Sequence, residues 1–168
     1  MIMKYFSIIF LFFLSFSLTA QTDNDNLNEQ LNEMKTAFEN NDYSVIVDYS
    51  YPKLVDMMGG KEKMIEATTN SMKKMESQGF VIEELSFKDA SGFMEHNGDL
   101  QSTITQVIVM QTPEGKVEST STMVAISEDD GENWVFLSAS GMSKETVKSF
   151  YENIHPDLEI KKMEKKNL

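Results

Sequence analysis

Cysteine is absent from this chain of 168 residues, and so is arginine. Without thiols there is no disulfide framework, no thiolate metal centre, no cysteine nucleophile and no lipid-bearing cysteine behind a leader. Without arginine the chain lacks the planar fork that grips carboxylate or phosphate with two parallel bonds. Histidine is scarce: His96 and His155 are the two in the chain, and neither has a second histidine at metal spacing. The sequence therefore offers no metal site and implies no cofactor. Gly-rich phosphate loops, Ser-His-Asp arrangements and basic-aromatic patches are missing as well. Positive charge is outnumbered, with 15 Lys against 27 Asp and Glu and a formal charge of −12. Such a surface repels phosphate backbones, which excludes nucleic acid as a partner. It keeps the chain soluble and could attract a basic protein partner.

Long apolar runs are confined to the start. Lys4 precedes an apolar stretch from Tyr5 to Leu18, broken by Ser7, Ser15 and Ser17. The stretch is short for a membrane span, and Ser/Thr/Ala follow it rather than basic residues. Residues 1–20 read as a signal peptide cleaved after Ala20, which implies export to the periplasm or beyond the cell. No later segment is apolar enough to cross a membrane. Residues 21–26 read as a polar linker, residues 27–160 as one domain, and residues 161–168 as a frayed Lys-rich tail.

Periodicity changes along that domain from helical to extended, and returns to helical near its end. Leu27, Leu31, Met34 and Phe38 form one helical stripe, predicting a helix over 27–40. A short helix follows over 43–49, then a turn over 53–58 behind Pro52. A longer helix over 61–77 sets Met64, Thr68, Met72 and Met75 on one face. After Gly79 the pattern becomes extended, with strands over 80–88, 93–96, 100–111, 116–127 and 133–139. Asn97-Gly98 is a tight-hairpin signal, and Thr112-Pro113-Glu114-Gly115 turns the longest pair. A last helix starts near Ser143 and buries Val147, Phe150, Tyr151 and Ile154 before Pro156 ends it. The expectation is an α+β fold: N-terminal helices packed on a curved antiparallel sheet of four to five strands, plus a C-terminal helix.

The leading helix, its link Phe38-Glu39-Asn40-Asn41-Asp42-Tyr43 to a second helix, the strand meander and the closing Gly131-Glu132-Asn133-Trp134 resemble the NTF2-like (cystatin-like) superfamily over residues 27–140. The resemblance implies a cone-shaped fold, whose mouth the extra C-terminal helix could cover. Enzymes of that superfamily use a pocket Asp, His and Tyr, and Asp48, Tyr49, Tyr51, His96 and Asp99 are the residues from which such a set could be drawn here. A buried Asp would serve as base and a Tyr O–H would donate to a developing oxyanion. The superfamily holds many non-catalytic domains too, so fold analogy fixes no activity.

Two other features weigh on function. Ser127-Glu128-Asp129-Asp130-Gly131-Glu132-Asn133-Trp134 resembles an Asp-box, and turn chemistry explains each of its residues without a glycan or calcium ligand. Methionine is abundant at 13, and Met57, Met58, Met64, Met72 and Met75 fall close together. Methionine suits adaptable apolar pockets as well as ordinary core. Met57, Met64, Met72 and Phe80 are the candidate ligand-binding residues. The favoured reading is an exported, non-catalytic module that binds a small apolar ligand or a basic protein partner. The alternative is an isomerase- or dehydratase-type enzyme using Asp48, Tyr51, His96 and Asp99.

Overall fold

The computed structural model describes residues 24–168, so the expected signal peptide and the first three residues of the expected linker lie outside the described residues. Helix α1 (Asp25–Glu39) begins where the Asn24 side chain accepts the Leu27 N–H at 2.8 Å. That contact satisfies one donor left over at a helix start. Leu27, Leu31, Met34 and Ala37 form its buried stripe. Two short helices follow, α2 (Tyr43–Asp48), capped by Asp42, and α3 (Pro52–Met57), opened by its proline. Gly59 and Gly60 both hold positive φ, 88° and 101°, and turn the chain into α4 (Lys61–Ser77). None of the 17 residues of α4 is fully buried.

The rest is a curved, open antiparallel sheet: β1 (Val81–Lys88), β2 (Met94–His96), β3 (Asp99–Thr112), β4 (Gly115–Ser127), β5 (Val135–Ser138) and, beyond helix α5 (Lys144–Phe150), β6 (Glu164–Asn167). The spatial order is β1-β3-β4-β5; β2 continues the β1 side of β3, and β6 continues the β5 side of β4. Asn97 and Gly98, with φ of 49° and 91°, make the tight β2–β3 turn that their dipeptide predicts. The α+β expectation holds, with one strand more than the four to five anticipated.

Residues 49–51 extend the sheet past β5: Phe136 donates its N–H to the Tyr49 carbonyl at 2.7 Å, and Tyr51 donates to the Phe136 carbonyl at 2.9 Å. Alternation along β4 then divides two cores. Met123 and Ala125 meet Leu27, Leu31 and Met34 of α1, together with Trp134. Val124 and Ile126 point the other way, onto Leu137, Val147, Tyr151 and Leu158.

Three local expectations need correction. Helix α5 ends at Phe150 rather than running to Ile154. Tyr151 leaves helical geometry, and an irregular segment buries Ile154 and Leu158 instead. Helix α5 also packs on the sheet face opposite α1, so it does not cover a cone mouth on the α1 side. The tail does not fray: Glu164–Asn167 pair with Val117–Thr120 of β4. The β4 edge beyond β5 offers backbone groups that need partners, and pairing them outweighs the poor strand propensity of Glu-Lys-Lys-Asn.

Candidate functional site

The proposed catalytic residues do not form one set. Asp48 is exposed and pairs with Lys61 at the start of α4. Tyr49, at the end of α2, donates its hydroxyl to Glu33 of α1. Its phenol is pushed up to about 12, by burial first and then by that hydrogen bond and the Glu33 charge.

Tyr51 and Asp99, by contrast, meet Tyr151 on the α5 face, and His96 joins them through Asn153, whose amide donates to the His96 carbonyl at 3.0 Å. The Asp99 carboxylate accepts the Tyr151 hydroxyl at 2.5 Å and the Asn153 amide at 2.6 Å. Gln101, fully buried, donates to the Tyr151 oxygen at 2.9 Å and to the Asn153 carbonyl at 2.7 Å, and accepts the His155 N–H at 2.8 Å. The Tyr51 and Tyr151 rings meet edge to face at 5.4 Å, as do the His96 and His155 rings. Both histidines are half-buried, whereas their turn and helix-end positions suggest solvent. Burial and the Asp99 carboxylate push the Tyr151 phenol far above its usual range. Burial, with Glu128 and Asp99 nearby, raises that of Tyr51 too.

This network pins the segment after α5 to the start of β3. Asp99 is occupied by donors, and a tyrosine that holds its proton this firmly is a poor acid. These side chains wall neither the cleft beside α4, nor the groove over α1 and α2, nor the hollow around Leu158. Gln101 and Asn153, its connectors, carry no sequence signal, because their partners lie fifty or more positions away in the chain.

The acidic hairpin is likewise internally satisfied. Asp129 accepts the Asn133 N–H at 2.8 Å, the Asn133 amide at 2.7 Å and the Ser127 hydroxyl at 2.8 Å, and these bonds, led by Asn133, lower its pKa. Trp134 donates its indole N–H to the Gly131 carbonyl at 3.1 Å. A Cβ on Gly131, whose φ is +89°, would stand 2.5 Å from the Asn24 amide nitrogen. The motif is therefore a hairpin that also anchors the start of α1.

A cleft between α4 and the sheet is the more open feature. Phe80 and Ile82 divide it into two chambers. The first, about 600 Å³, lies between the α1–α2 junction, α4 and β1, and mixes Phe38, Tyr43, Met72 and Leu85 with Glu39 and Glu76. The second, about 540 Å³, is mostly apolar: Met75 and Phe80 from the α4 end, Ile82, Ile108 and Met110 from β1 and β3, and Met163 before β6. A β-bulge prepares this wall. The β1–β3 register skips Glu83, so Ile82 opposite Met110 and Leu85 opposite Ile108 fall on one face despite their odd spacing. At the far end Gly79 approaches Pro113 so closely that a Cβ there would sit 3.4 Å from the ring.

Of the candidate ligand residues, Phe80 lines both chambers and Met72 the first. Met64 is half-buried on α4 but lines neither, and Met57 is 63% exposed at the end of α3. Met57 and Met64 belong to the first turns of the helical segment, whereas the apolar chamber opens at its last. The methionines that line the apolar chamber are Met75, Met110 and Met163; Met75 shares the helical stripe, but Met163 lies in a segment whose sequence reads as tail. No protein-family model matches this chain, and no curated protein matches it.

Proposed function

We propose that this chain is an exported, non-catalytic binding module that holds a slender apolar ligand in the chamber between the end of α4 and the open half of the sheet. The chamber carries the reading. Its volume falls within the range of small-molecule sites, and its walls are mainly aliphatic, aromatic and methionine side chains. Its helical wall is loosely held, since no residue of α4 is fully buried, so it can adjust to an occupant. A helix-backed concave sheet is also what the NTF2-like resemblance implies. Export rests on the charged start and short apolar run of residues 1–20. Among the described residues no helix is long and apolar enough to cross a membrane.

The enzyme alternative has less support, because Asp48 stands apart and Asp99 and Tyr151 are tied to each other. Docking of a basic protein on Glu128–Glu132 lacks a comparable feature, since Asp129 already has its partners within the hairpin.

Native mass spectrometry of protein purified from its host tests the reading. An apolar mass that adds to the folded chain, and is lost in a Met110→Glu variant, is the expected result. An apo mass, with no uptake of apolar dyes by the folded chain, would overturn it.

A further inference from the structure

The second chamber has an end that differs from its walls. Strand β6 closes one side of it, and alternation turns Met163, Lys165 and Asn167 toward the chamber, while Glu164 and Lys166 stand opposite Thr120 and Glu118 on the other face. Lys165 is the one cation among the described residues that line the chamber, and Glu114, out on the β3–β4 turn, is the one anion. Lys165 stands opposite Ser119, a polar neighbour without charge, and none of the described ion pairs involves it.

The placement runs against the chain as a whole. In a chain of net charge −12, four of the 15 lysines fall in the last eight residues. A lysine stem can lie along apolar surface and keep its ammonium at the water boundary. At the mouth of an apolar chamber that arrangement presents one positive charge beside an apolar tail site.

We propose that Lys165 is the headgroup residue of this chamber, and that the preferred occupant is a single-chain amphiphile with an anionic head. This rests on the apolar-ligand reading and deepens it. Met163 completes the tail wall, Lys165 holds the head, and β6 is a strap carrying both. The strap is separable from the core. Its root is fixed by buried Leu158 and by the Lys161 N–H donating to the Thr122 hydroxyl at 3.1 Å. Beyond that root all four strand residues are exposed and held by the ladder to β4.

Titration of the exported chain with dodecanoate, dodecanol and dodecylammonium, followed by calorimetry, tests the assignment. The wild-type chain should bind dodecanoate about fivefold more tightly than dodecanol, and dodecylammonium most weakly, the size expected of one part-exposed charge pair. Lys165→Met should remove the preference while keeping dodecanol affinity. Lys165→Glu should reverse it. A chain ending at Lys161 should lose about tenfold or more for all three through the missing wall, with an unchanged fold by circular dichroism. If the wild-type chain binds none of the three, the apolar-ligand reading fails and the headgroup assignment with it. If it binds all three alike and Lys165→Glu changes nothing, the headgroup assignment alone is overturned.

Discussion

The two halves of β4 live in different surroundings. From Ser121 to Ser127 each residue is buried, while from Gly115 to Thr120 none is. The same strand, paired to β3 along its whole length, thus has one half packed on both faces and one half left partly open. Packing explains the contrast. Helix α1 and Trp134 cover one face of the closed half, and α5 with the segment to Leu158 covers the other. The open half has the loosely docked α4 on one side and the exposed β6 at its edge. Stability concentrates where two layers sandwich the sheet, and room for a ligand remains where one layer stands off. The polar network around Asp99 belongs to the first half, where it locks α5's trailing segment in place.

The largest break in that comparison comes from paired truncations. Leu137 is fully buried in the closed half, and Leu137→Ala should cost about 2–5 kcal/mol, the range for a buried leucine that leaves a cavity. Met110 faces the open chamber and is only half-buried, so Met110→Ala should cost about 1 kcal/mol or less, because part of its surface is already wet. Urea denaturation of both variants checks this. Equal losses would mean that the open half is packed as tightly as the closed one.

A smaller effect appears at alkaline pH. Tyr49, Tyr51 and Tyr151 sit against the closed half and Tyr43 lines the cleft; all four phenols are raised above 10.0. The folded chain therefore keeps protons that the unfolded chain releases near 10.0, and stability should fall as pH rises from there through about 12, the value for Tyr49. Below that window these groups should leave no slope. The comparison is between variants: Tyr151→Phe should flatten the decline more than Tyr43→Phe or Tyr51→Phe, whose phenols are raised less. The denaturation midpoint followed across the window reads the slope, and a decline unchanged by Tyr151→Phe would contradict the assignment.

Much of this layout is legible in the sequence. The periods of 3.6 and 2.0 are strong where an element packs on one face, so α1, α4, β3 and β4 fall close to their expected bounds. Asn97-Gly98 and the Asp129–Trp134 hairpin are legible because their chemistry is local. The bulge at Glu83 is not, since its cause is the register against β3, set from across the sheet. Strand β6 is not, because its residues have poor propensity and it forms on an edge already there. Tyr151 and Asn153 read as helix residues and Gln101 as a strand residue, and only tertiary closure joins them to Asp99. The candidate ligand residues follow the same rule. Phe80 and Met72 reach the cleft because they lie on a helical face or at its end, while Met57 stands exposed at the end of α3, outside it.

Hydrogen–deuterium exchange with and without dodecanoate tests the division most directly. Alone, the chain should protect Ser121–Ser127 and Val135–Ser138 strongly and α4 and β6 weakly. Dodecanoate should then slow exchange at the end of α4, around Phe80–Ile82 and in β6, and leave the closed half as it was. Uniform protection before ligand, or ligand effects confined to the α5 face, would contradict the account.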